Sequence, residues 1–130
     1  MISITNFVSK WTGRKIDYDK AYGAQCVDVL KQWEAENKWK ITHGNANATR
    51  YNADGVNYKW IVNTPIAVPR AGDMIEFALG GYGHVGVVVS ATVWSVKVFE
   101  QNNPIGSSCH LRSYNYLKPR CVGWLRSLKG

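Results

Sequence analysis

Apolar and polar positions follow two different periods along this chain. In the first third the spacing is helical. Residues 3–12 predict one helix, and residues 26–37, with Val27, Leu30, Trp33 and Ala35 on or near one face, predict a second. The stretch THGNANATRYNADG is polar and rich in turn formers, with a short helix expected near residues 48–52. In the second half the period shortens to two. GDMIEFAL, HVGVVVSA, SVKVFEQN and CVGWLRSL are β-branched or aromatic runs separated by Gly, Pro, Ser and Asn, the pattern of an antiparallel meander. Helices followed by consecutive strands predict an α+β architecture with the N-terminal helices packed on one face of an antiparallel β-sheet. Residues 1–130 are expected to form a single domain.

Composition is that of a globular chain, without low-complexity tract, internal repeat or apolar run of membrane-spanning length. The opening MISITNFVSKWTGRK lacks the continuous apolar segment of a secretory leader and is expected to contribute no signal peptide. Charge adds more. A formal net charge of +7 points to an anionic partner: nucleic acid, a membrane surface or an acidic wall polymer. The basic residues are scattered rather than clustered, which argues against nucleic acid. Three cysteines, Cys26, Cys109 and Cys121, leave at least one unpaired, and none shows zinc-site spacing. A Cys109–Cys121 disulfide is compatible with the sequence.

Cys26, in AYGAQCVDVL, falls at the start of the second predicted helix. A helix start carries unpaired N–H groups and partial positive charge, which favour a thiolate; small buried structural cysteines are also common. A thiolate nucleophile needs a base within hydrogen-bond reach and a group to orient that base. His43 and His110 lie in polar, turn-like surroundings and are expected on the surface. His84, in GGYGHVGVVV, enters a strongly apolar strand beside glycines that permit close approach of another segment or a substrate. A hairpin turning near residues 92–95 brings the end of the next strand, VKVFEQNN, opposite His84. There Glu100 and Asn102 are expected on one face and Gln101 on the other.

In this order and spacing, GAQCVD, PRAGDMIEF, GHVGVVV and VFEQNN resemble the cysteine, histidine-dependent amidohydrolase/peptidase (CHAP) domains of bacteriophage endolysins and bacterial wall hydrolases, over roughly residues 15–127. The resemblance implies a papain-like fold and a peptidoglycan hydrolase, either an N-acetylmuramoyl-L-alanine amidase or a stem or cross-bridge endopeptidase. It implies that Cys26 is the nucleophile, His84 the base, Glu100 the residue orienting the histidine, Asn102 a further polar partner and Gln25 a contributor to oxyanion stabilisation. It also implies action on the bacterial cell wall, which without a signal peptide is expected to be reached by holin, virion delivery or lysis, the enzyme being brought to its substrate by a separate wall-binding module or subunit or by its own charge. The scattered basic residues and lack of a long apolar run lead us to expect no nucleic-acid partner and no membrane insertion. Two rivals remain open: a non-catalytic module binding through basic and aromatic residues, and a papain-like cysteine peptidase acting on proteins.

Upstream of the cysteine, DYDKAYGAQCVD places Asp17, Asp19 and Asp28 at the first, third and last of twelve positions. An all-oxygen cluster suits a hard cation, with Ala21 and Gly23 offering only main-chain carbonyls. The match to an EF-hand is partial, because Tyr22 stands where that loop requires glycine and Asp28 where it has glutamate. The resemblance implies a structural calcium ion here, held by Asp17, Asp19, Ala21, Gly23 and Asp28. Among the aromatic residues, Trp33, Trp60, Trp94 and Trp124 are expected in the core, and Tyr82 and Tyr51 along a substrate groove.

Overall fold

A computed structural model describes residues 1–130. Helix α1, Ile4–Trp11, begins where Ser3 Oγ accepts the Asn6 N–H, and it buries Phe7. Helix α2, Cys26–Glu36, buries Val29, Leu30 and Trp33. A 3-10 helix, Ala46–Asn52, takes the place of the short helix expected in the polar stretch. Six strands follow: β1 Tyr58–Val62, β2 Met74–Ala78, β3 His84–Ala91, β4 Ser95–Glu100, β5 His110–Asn115 and β6 Arg120–Ser127. They form one antiparallel sheet in the order β1-β6-β2-β3-β4-β5. The fold is α+β and papain-like.

The sheet buries both faces. On the helix side, Phe7, Val29, Leu30 and Trp33 pack with Met74, Val85, Val87, Phe99 and Leu125. Phe7 sits edge-on to both Trp33 and Phe99, with ring centroids 5.1 and 5.8 Å apart. The other face holds a second cluster of Ile75, Phe77, Val88, Val96, Val98, Tyr114 and Trp124. No helix is long and apolar enough to cross a membrane.

Four of the six strands coincide with the predicted runs, and the β3–β4 turn falls at residues 92–94. Strands β1 and β5 have no counterpart among those runs. Both are edge strands, so they lack the continuous apolar character that marks a central strand. Trp94 corrects another expectation: it is 81% exposed. Thr92 Oγ accepts the N–H groups of Trp94 and Ser95, closing a tight turn whose tip has no layer above it. The two remaining cysteines are free, and no Cys109–Cys121 disulfide exists. Cys109 belongs to the helix-side cluster and Cys121 to the other, so the sheet separates them.

Two local features set how closely these elements approach. At Gly86, in β3, a Cβ would lie 2.3 Å from Val98 Cγ1 and 2.8 Å from the Phe99 carbonyl oxygen, so only glycine allows β3 and β4 to come this near beside Glu100. In the last turn of α2, buried Glu34 accepts the backbone N–H and hydroxyl of Thr42, which anchors the chain leading to the 3-10 helix.

Candidate active site

A cleft of about 780 Å³ opens where the start of α2 meets the start of β3. Its lining includes Gln25, Cys26, Val27, Tyr82, His84 and Asn102. Cys26 is half-buried at the first position of α2. The aspartate two residues on, Asp28, accepts the Gln25 N–H at 2.9 Å and so fixes the entry to the helix. Across the cleft, the glycine-rich segment before β3 is held by the Asn47 N–H, which donates to the Tyr82 carbonyl at 2.8 Å.

His84 is buried, and its Nε2 lies 3.0 Å from Glu100 Oε1. Burial works against a charge on this imidazole. Hydrogen bonding and electrostatic attraction from Cys26 and Glu100 outweigh it, and the pKa of His84 rises to about 9. Glu100 is fully buried. Besides His84, it accepts the Tyr114 hydroxyl on Oε1 and faces His110 Nε2 at 2.9 Å on Oε2. The expectation that His110 is a solvated surface residue is therefore corrected. Glu100 and His110 are direct cross-strand partners in the β4–β5 register, so their side chains share a face. The signal in the sequence is the alternation of His110, Arg112 and Tyr114 in HLRSYN, masked by its polarity. His43 is exposed as expected.

Asn102 reaches the cleft by a different route from the one expected. Strand β4 ends at Glu100, and Asn102 takes a left-handed conformation with φ of 64°. Its Oδ1 accepts the Gly106 N–H at 2.7 Å, which closes the following loop. Gln25 also borders the cleft, but its side-chain amide donates to the Tyr22 carbonyl at 3.4 Å. Tyr82 lines the cleft and Tyr51 does not; the Tyr51 ring lies under the Arg50 guanidinium. Tyr22 and Ile105, both more than nine-tenths exposed, complete the apolar rim. Nothing in their sequence context marks them out.

Gln101, expected to point away from its neighbours, does so into the core. Its amide donates to the carbonyls of Ile16 and Gln25 at 2.6 and 2.8 Å, and its oxygen accepts from the Ile16 N–H and the Cys109 thiol at 2.9 and 3.4 Å. One buried side chain thus ties the residue preceding Cys26 to the end of β4.

Asp17, Asp19 and Asp28 converge, with one carboxylate oxygen of each within 4.8 Å of the others. Asp17 Oδ1 and Asp28 Oδ1 are buried without a hydrogen-bond partner. Burial raises the pKa of Asp28, the bond from Gln25 N–H opposes this, and the charges of Asp19 and Asp17 raise it further. Asp19 is held by Lys31 at 3.0 Å and by the Ala21 N–H. Between them, Lys20, Tyr22 and Gly23 all take left-handed conformations that coil the loop carrying Ala21 and Gly23. Two orphaned oxygens among crowded carboxylates fit a hard divalent cation.

A second hollow of about 510 Å³, near Trp33, Trp39, Arg70 and Arg126, has no cysteine or histidine in its lining. We expect Gln101→Leu to lower stability by about 3 kcal/mol or more, since it strands several buried backbone groups. Urea unfolding measures this, and a loss of about 1 kcal/mol or less, the worth of one ordinary hydrogen bond, would contradict the coupling of Cys26 to β4 through this side chain.

The crystal structure of the wild-type endolysin LysIME-EF1 is similar to this chain with a TM-score of 0.76, at 25% sequence identity and over 97% of this chain. The chain spans 64% of the length of that endolysin. The CHAP domain model matches residues 15–102, a range that carries Cys26, His84, Glu100 and the acidic loop. On this match, the chain belongs to the CHAP domain family.

Proposed function

We propose that the chain is a peptidoglycan hydrolase that cleaves an amide bond of the bacterial cell wall, as an N-acetylmuramoyl-L-alanine amidase or a stem or cross-bridge endopeptidase. The observation that carries this reading is the convergence of Cys26, at a helix start, with the buried His84–Glu100 pair in one open cleft. A solved endolysin of similar fold supports the choice of substrate.

In this reading Cys26 is the nucleophile and His84 holds its proton. Nε2 of His84 is engaged by Glu100, so Nδ1 is the nitrogen that exchanges a proton with the thiol. The thiolate attacks the carbonyl carbon, and the charge developing on oxygen is stabilised by N–H groups of the first turn of α2, an effect typically worth a few kcal/mol per donor. A swing of the Gln25 amide away from Tyr22 would add a further donor. His84 then gives its proton to the leaving amine, the acyl group remains as a thioester on Cys26, and water attacks it with His84 as base. Glu100 keeps the ring oriented throughout. Asn102 shapes the adjoining wall of the cleft.

Calcium fits the acidic loop, held by Asp17, Asp19 and Asp28 with the carbonyls of Ala21 and Gly23, and would supply positive charge that locks the approach to α2. It stays outside the bond-breaking chemistry. Because Asp28 braces the residue before Cys26, losing the ion loosens the nucleophile.

Clearing of Gram-positive wall suspensions by the wild type and by Cys26→Ala tests the assignment, with mass spectrometry of released fragments naming the bond. Loss of clearing in Cys26→Ala is expected; retained clearing would overturn it. A histidine whose pKa is raised keeps its proton at neutral pH and loses it as pH rises, so kcat/KM should decline on the alkaline side near pH 9 rather than near the ordinary 6.5. EDTA should lower both activity and the thermal midpoint, with recovery on adding calcium. An unchanged midpoint would count against the ion.

A further inference from the structure

His110 is the one histidine at the site that the CHAP domain match, which ends at residue 102, does not reach. Its two ring nitrogens both face acceptors. Nδ1 lies 2.7 Å from the Ser108 carbonyl oxygen, which can only accept, and Nε2 lies 2.9 Å from Glu100 Oε2. Glu100 already receives His84 and the Tyr114 hydroxyl on its other oxygen. Only an ionised carboxylate serves all three donors, and only a doubly protonated imidazole satisfies both of its neighbours.

We propose that His110 is a second imidazolium that positions Glu100 and balances its buried charge from Oε2, leaving Oε1 to His84 and Tyr114. This rests on the hydrolase reading for its kinetic consequence and not for its chemistry. While Cys26 and His84 form an ion pair, Glu100 and His110 form another, and the cluster is neutral. When His84 passes its proton to the leaving amine and the sulfur becomes a neutral thioester, the Glu100–His110 pair keeps it neutral. Without His110, a fully buried carboxylate would draw on His84 alone and make it a reluctant acid. The charged and titratable groups around His110 are Glu100 of β4, His84 of β3 across that carboxylate, and Tyr114 and Arg112 of β5, with the Arg112 guanidinium over the Tyr114 ring. Glu100 is the only acid among them.

Two measurements test this. ¹⁵N NMR of the wild-type protein at pH 7 should show both His110 nitrogens protonated, whatever the protein cleaves; a single protonated nitrogen overturns the proposal. On soluble peptidoglycan fragments, His110→Gln keeps a donor to Glu100 without the charge, and should move the alkaline limb of kcat/KM up by about one pH unit, as expected for losing a nearby cation, with kcat lowered and KM unchanged. An active variant with the limb in place also overturns it. If Cys26→Ala still cleared walls, the hydrolase reading would fail while the NMR result on His110 stood.

Discussion

The site depends on a pair of adjacent side chains at the end of β4. The Glu100 carboxylate, at the last residue of β4, turns to His84 and Tyr114, and the Gln101 amide, just past the strand, turns the other way to Ile16 and Cys109. Glu100 holds His84, and Gln101 holds the carbonyl of the residue before Cys26. His84 and Cys26, 58 positions apart in the chain, are thereby referred to one short piece of backbone. Both side chains are fully buried, which makes an unmade bond costly and the arrangement correspondingly rigid. Gly86 extends the same constraint, since its missing side chain lets β3 close on β4 beside the carboxylate.

Charge in this region is concentrated rather than dispersed. Beyond Glu76 the sequence holds one acid, Glu100, and it is sealed among two imidazoles and a phenol. The loop before α2 shows the opposite condition, three carboxylates crowded together with two of their oxygens unpartnered. The helix carrying Cys26 stands between these two centres. Its start is braced by Asp28 from the acidic side and by Gln101 from the sheet side.

The central elements are legible in the sequence because their periodicity reflects burial. Strand β3 is readable from HVGVVVSA alone, and α2 from its apolar stripe. The edge strands are not, since HLRSYN and YKWIV bury only part of one face and carry little period-two signal. Cys26, His84 and Glu100 can be found because a strand entrance, a hairpin and a helix start place them by local rules. Asn102 meets the cleft without the strand alternation that singles it out in the sequence, as the strand stops two residues short. His110 and Gln101 escape a local reading for a shared reason: their roles come from cross-strand and long-range partners, which the polar alternation of HLRSYN does not by itself identify.

The separation of the other two sulfurs by the sheet has a consequence for redox chemistry. Burial pushes the thiols of Cys109 and Cys121 up to about 12, so both stay protonated, shielded and on opposite sides of a six-stranded barrier. In an oxidising medium a sulfenic acid formed at Cys26 meets no thiolate from either, so its condensation with an internal thiol is slow. Damage from peroxide would accumulate at the half-buried sulfur on α2, and its repair would fall mainly to an external thiol.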